Sequence, residues 1–204
     1  MISMKIGQCD IDIVPIIKGL VSEKEKVAEA LSNKKYEVVA LPLGIEDVEA
    51  LKRRSEIEGE FEQSDVDSVY SYFLKNLGNI DMPDPAFTYL VDESKASGTP
   101  IIPLDMNDED YSKVYCANVS TMEFLKEKRV LKKAMKTTFD YSSPEKFALQ
   151  WDALMNTIKG YRTMSQIREE YIADEIKDVA KYRKSLLVLL EYERLEGTLK
   201  FLEG

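Results

Sequence analysis

Four carboxylates and two guanidinium groups stand where this chain could do chemistry. Asp10, Asp105, Glu191 and Glu193 each follow a short apolar run, Arg168 sits beside an apolar helical stripe, and Arg194 follows the last run closely. Carboxylates gathered at neighbouring strand ends offer an oxygen-only site that suits Mg²⁺ or Mn²⁺. The same groups also cap following helices or pair with Arg194. Arg168 reads either as the buried partner of Asp10 or Glu193, or as a clamp for an anionic ligand. No histidine occurs among the 204 residues, which removes Ser-His-Asp and Cys-His catalysis and imidazole metal ligation. Any chemistry must therefore run on carboxylates, Lys, Arg, Tyr or Cys. Cys9 is a poor thiolate because the adjacent Asp10 raises its pKa, so it reads as core. Trp151 and the helix-spaced tyrosines read as core or interface before they read as a ligand box.

The elements that must position these groups begin with Ser185–Leu190, a short Leu/Val run of the length of a strand buried on both faces. It predicts the middle of a sheet, and the charge at its exit, Glu191 to Arg194, is where open α/β sheets place a ligand crevice. An apolar tail, Leu195, Leu199 and Leu202, predicts a helix folding back. Met4–Ile6 predicts a first strand ending in Gly7-Gln8-Cys9-Asp10, beside the last strand. Ser22 with Glu25 predicts a capping box for a helix ending near Asn33. Tyr36–Leu43 predicts a second strand, parallel to the first by a right-handed crossover.

Ile45, Val48, Leu51 and Ile57 suggest a short helix within Glu46–Asp67, where nine carboxylates meet three cations. Such a block reads as a solvated face or mobile loop. Val66 to Leu77 recurs at helical spacing, with Ser64 or Asp65 as cap and Gly78 as stop. Pro83 or Pro85 opens a helix that Gly98 ends, and Thr99–Asp105 predicts a third strand with Pro103 at an edge. From Ser112 to Lys181 strand signals vanish. Three helices are predicted there: Val119–Lys136 with a Ser120/Glu123 capping box, one opened by Ser143-Pro144 and carrying Phe147, Leu149, Trp151, Leu154 and Met155, and Thr163–Tyr182 with Ile172 and Ile176 on its buried stripe.

Composition bounds the rest. With 44% hydrophobic residues the chain can bury a substantial core in one domain. A formal charge of −9 argues against a nucleic-acid partner, which needs a basic face. Cys9 and Cys116 stand apart with no CxxC pairing, so neither a disulfide framework nor a thiolate zinc site is indicated, and a reducing cytoplasm suits them. No window reaches the apolar length of a membrane span, and no signal peptide is read at the start. Val119–Lys136 carries six cations against two anions, a basic segment able to pair with the acidic Glu46–Asp67 stretch of its own or another copy. A homodimer is expected.

Five stretches in order resemble the TraB/PrgY family, within the wider group of Tiki metalloproteases and the erythromycin esterase-like and ChaN-like folds. They are Met4–Asp10, Tyr36–Leu43, Ala96–Asp105, Ile167–Ile176 and Leu186–Gly197. The resemblance implies a metal-dependent hydrolase scaffold in which two histidines and a glutamate hold a divalent ion. This chain has Asp10 and Arg194 where that family has the histidines and Pro42 where it has the glutamate, while Gly7, Arg168 and Gly197 remain. Arg194 would repel a dication there. The implied reading is a member that keeps the scaffold and has lost or changed the activity.

The sequence thus predicts one α/β domain, residues 1–204, with a mostly parallel central sheet, flanking helices and a helical arm or cap. The sheet core spans 1–112 and 183–204, and the helical insertion spans 113–182. Its strand-end cleft, with Gly7, Asp10, Asp105, Arg168, Glu191, Glu193, Arg194 and Gly197 as candidate residues, is expected to bind a small anion or peptide without catalysis. The alternative is a hydrolase using carboxylate-held Mg²⁺ or Mn²⁺. No resident cofactor and no zinc are expected.

Overall fold

A computed structural model of the protein describes residues 1–56 and 64–204. Among these, five strands form one sheet: β1 Ile2–Ile6, β2 Cys9–Ile16, β3 Val38–Leu41, β4 Ile101–Pro103 and β5 Ser185–Glu191, ordered β1-β2-β5-β3-β4. The apolar run at 185–190 is the central strand, parallel to β2 on one side and β3 on the other. Pro103 lies on β4 at the sheet edge, where its missing donor is harmless. The sheet is mostly parallel, as its apolar runs separated by helices predict.

One strand corrects the reading. The expected first strand with a carboxylate at its exit is instead a hairpin, in which β1 runs antiparallel to β2 and Ile6 faces Cys9 across Gly7-Gln8. Gly7 has φ 59°, the left-handed conformation that a two-residue hairpin turn requires. Asp10 consequently starts β2, opposite Ser185 at the start of β5.

Because β5 is parallel and internal, its alternating side chains enter two cores. Leu187 and Leu189 join Val39 and Leu41 beneath helices α1 (Glu23–Asn33), α2 (Ile45–Lys52) and α4 (Pro85–Ser97). Leu186, Val188 and Leu190 face Ile172, Ala173 and Ile176 of α8 (Lys159–Ala180) and Leu202 of α9 (Tyr192–Glu203). A third core gathers at the exits of β2 and β5. It packs Ile17 and Leu20 against Phe73 and Leu74 of α3 (Asp65–Leu74), Leu131 of α6 (Thr121–Ala134), and Phe147 and Trp151 of α7 (Pro144–Met155). Helix α5 (Asp108–Asn118) leads from β4 toward α6.

Capping follows the sequence in most places. Ser64, Asp84, Ser120 and Ser143 accept from their helix N-termini, Ser120 with Glu123 in the full capping box. The box expected at Ser22 does not form, because Ser22 is already helical and makes no side-chain cap bond. Glu23 turns inward instead and accepts from Ile17 N at 3.1 Å. Helix α8 begins at Lys159 rather than Thr163, and Leu149, expected on the buried side of α7, is 47% exposed. Ile57 and the acidic residues up to 63 lie outside the described residues. Among the described residues no helix is long and apolar enough to cross a membrane.

Candidate functional site

The carboxyl edge of the sheet opens into a cavity of about 380 Å³, walled by the exits of β2 and β5 and by α3, α5, α7 and α8. Two anchors hold the β2 exit in place. Asp84 Oδ2 accepts from Gly19 N at 2.6 Å while its Oδ1 caps α4, and Glu23 holds Ile17 N. Between these anchors Lys18 enters the cavity, its ammonium 3.5 Å from Asp67 Oδ1. Burial works against that charge, but Asp67, Glu191 and Asp84 outweigh it and raise the Lys18 pKa.

Both predicted arginines reach the cavity, and both are closed by carboxylates. Arg168 donates through Nε to Asp105 Oδ2 at 2.6 Å, and its Nη2 lies 3.9 Å from Glu191 Oε2. Its partner is therefore Asp105, at the β4 exit, rather than Asp10 or Glu193. Arg194 donates to Asp152 Oδ1 at 2.5 Å and to Glu169 Oε1 at 3.2 Å. Gly197, one helical turn further on, gives the Glu169 carboxylate room: a Cβ there would stand 2.0 Å from Glu169 Oε2.

Three polar atoms on this cavity are buried without a hydrogen-bond partner among the described residues, namely Glu191 Oε2, Glu193 Oε2 and Tyr70 OH. Glu191 is only 8% exposed. Glu193 is half-buried as a residue, with its Oε2 enclosed. Burial, then the Glu191 charge beside it, push its carboxyl pKa up to about 7, against the opposing pull of Arg194. Burial and the same two glutamates hold the Tyr70 phenol above its ordinary range.

The remaining wall is aromatic. Tyr70 meets Trp151 edge-on at 5.5 Å, Tyr111 stacks with Tyr115 at 6.1 Å, and Tyr161 donates to Glu127 Oε2 at 2.5 Å. Of the candidate residues, the structure brings together Asp105, Arg168, Glu191, Glu193, Arg194 and Gly197. Gly7 and Asp10 stand at the opposite end of the strands, where Asp10 makes an exposed 3.6 Å ion pair with Lys5. The sequence does not mark Asp152, Glu169, Lys18 or Tyr70 as site residues. Arg194 beside a buried strand was the available signal for the first two, since a buried guanidinium demands anionic partners.

Asp10 is remote from the cavity, and among the described residues no three Cys, Asp or Glu side chains form a metal-holding group. No family model, curated protein or solved structure matches the chain.

Proposed function

We propose that the protein is a non-enzymatic binding protein whose strand-end cavity holds a small polar molecule or the end of a peptide. The observation that carries this reading is the set of three orphaned buried atoms, Glu191 Oε2, Glu193 Oε2 and Tyr70 OH, all lining one 380 Å³ cavity. Burying such atoms unpaired costs about 1–3 kcal/mol each, and a ligand that hydrogen-bonds to them offsets that cost. Trp151, the tyrosines and two methionines, Met155 and Met164, supply the apolar wall that small-molecule sites need.

The carboxylate-metal hydrolase is the weaker reading because guanidinium groups occupy the approach to the carboxylates. Arg168 lies against Asp105 and Glu191, and Arg194 against Asp152 and Glu169. A dication would have to displace or repel both. Of the residues that the TraB/PrgY resemblance retains, Arg168 lines the cavity and Gly197 lies one helical turn from Arg194, while Gly7 stands at the opposite end of the strands.

Trp151 is the sole tryptophan and lines the cavity, so its fluorescence reports occupancy. Titration with a panel of amines, carboxylates, phosphates and short peptides should give saturable changes for at least one class. Ester and peptide substrates with Mn²⁺ or Mg²⁺ should show no turnover above buffer. Metal-dependent turnover that Asp105→Ala abolishes would replace this reading with the hydrolase.

A further inference from the structure

The charge around the cavity is unbalanced. Lys18, Arg168 and Arg194 line it with five carboxyl groups, those of Asp67, Glu127, Asp152, Glu191 and Glu193. Asp105 and Glu169, the other carboxylates on the two arginines, bring the number to seven against three. Among the described residues every cation here is already engaged: Lys18 with Asp67, Arg168 with Asp105 and, at 3.9 Å, Glu191, and Arg194 with Asp152 and Glu169. An anionic ligand would find no free guanidinium and would add to the excess. Two carboxyl oxygens on the cavity, Glu193 Oε2 and Glu191 Oε2, the latter 3.9 Å from Arg168 Nη2, receive no hydrogen bond from the described residues and can accept from a donor.

We infer that the cavity is built for a protonated organic amine, whose ammonium is received by Glu191 Oε2 and Glu193 Oε2 while its carbon body lies against Tyr70 and Trp151. This inference rests on reading the cavity as a binding site and names its ligand class. The ammonium matches both vacant acceptors and supplies the missing positive charge. Tyr70 and Trp151, whose ring centroids stand 5.5 Å apart, both line the cavity, and aromatic rings attract a cation nearby. Glu191 is more than nine-tenths buried, so its unpartnered oxygen is enclosed rather than solvated.

Proton exchange accompanies binding. Without a ligand the excess charge is relieved on Glu193, whose carboxyl is pushed up to about 7. Glu191, Arg194 and Asp152 act on it directly and its charge reaches Tyr70, while the other titratable groups lining the cavity are Lys18 after β2, Asp67 on α3, Tyr111 and Tyr115 on α5, Glu127 on α6, and Tyr161 and Arg168 on α8. An incoming ammonium favours the ionised form, so Glu193 releases its proton as the amine enters.

The test is titration of Trp151 fluorescence and of heat with phenethylamine and putrescine, against phenethyl alcohol, phenylacetate and inorganic phosphate. At least one amine should saturate with a Kd below about 1 mM, and the alcohol should not. Its affinity should rise roughly tenfold from pH 6 to pH 8, as the ionised fraction of a group titrating near 7 grows. Glu191→Gln should weaken it at least tenfold. Should that variant fail to fold, the pH comparison on the unaltered protein and proton release in buffers of different ionisation enthalpy carry the same decision. Saturation by phenylacetate or phosphate with the amines silent overturns the amine assignment and leaves the binding reading standing. Silence from every probe overturns both.

Discussion

Arg168 on α8 and Asp105 at the exit of β4 are joined by a 2.6 Å charge-assisted hydrogen bond across 63 residues of sequence. Asp105 is 7% exposed at its side chain and Arg168 is 23% exposed, so water screens neither fully. The pair ties the helix beneath the sheet to the edge strand, and it fixes the guanidinium beside Glu191. Asp105 also accepts from Met106 N, which stiffens the turn into α5.

Arg168→Met is therefore expected to destabilise the protein by about 3–5 kcal/mol, because Asp105 and Glu191 are left buried without a counter-ion. Adding Asp105→Leu should recover much of that loss, since replacing both partners removes the uncompensated charge. Urea denaturation of the two single variants and the double variant checks this. Additive losses would show that the two groups act independently.

The sheet was legible because burial on both faces writes itself as an unbroken apolar run, as in Leu186–Leu190, and helices between such runs imply parallel strands. The helix caps were equally local: Ser120 and Glu123 lie three residues apart and bond to one another. The place of Asp10 is not legible because Gly7-Gln8 between two alternating stretches is a weak turn signal, so the start of the hairpin's second strand reads as the end of its first. The site was legible in half. Carboxylates and arginines at strand exits announce a crevice, but their pairing does not. Arg194 with Asp152, 42 residues away, and Arg168 with Asp105 depend on how α7 and α8 settle on the sheet. Tyr70 carried a correct core signal, yet only the assembled wall shows that its hydroxyl has no partner.

Asp12, in the middle of β2, accepts from Ser3 at 2.5 Å, Lys34 at 2.9 Å and Tyr36 at 3.0 Å. Burial alone would raise its pKa, but these three donors outweigh it and lower it below 3.8. A carboxylate depressed in the folded state stabilises the fold above its unfolded pKa, and that contribution is lost as pH falls through the folded value. Asp12→Asn should cost about 1–3 kcal/mol at pH 7 and should flatten the loss of stability below about pH 4. Stability curves against pH for the two proteins, parallel throughout the acid range, would contradict this.

Gly197 offers a sign reversal. Alanine is favoured over glycine inside a helix by about 1 kcal/mol, yet a Cβ at 197 would stand 2.0 Å from Glu169 Oε2. Glu169 would swing away and leave Arg194 with Asp152 alone. Gly197→Ala should therefore destabilise the unaltered chain by about 1–2 kcal/mol and stabilise a Glu169→Ala background. Equal effects in both backgrounds, read from thermal midpoints, would dissociate Gly197 from the Arg194 pair.

Glu193 gives the opposite pH dependence from Asp12. Its carboxyl rises from an ordinary 4.5 to about 7 in the fold, through burial first and the Glu191 charge second. Between those values the unfolded chain releases the proton while the folded protein keeps it, so the unfolded state binds fewer protons and stability falls as pH rises. Above 7 the loss is complete and constant. Glu193→Gln removes the ionisation while keeping the shape, so it should match the unaltered protein near pH 4.5 and exceed it at pH 8 by on the order of 1–3 kcal/mol. The same variant should abolish proton release when an amine is titrated in. Chemical denaturation at pH 4.5, 6 and 8 decides the point: a stability difference that stays flat across the three would mean that Glu193 holds an ordinary carboxyl and that the cavity's excess charge is borne elsewhere.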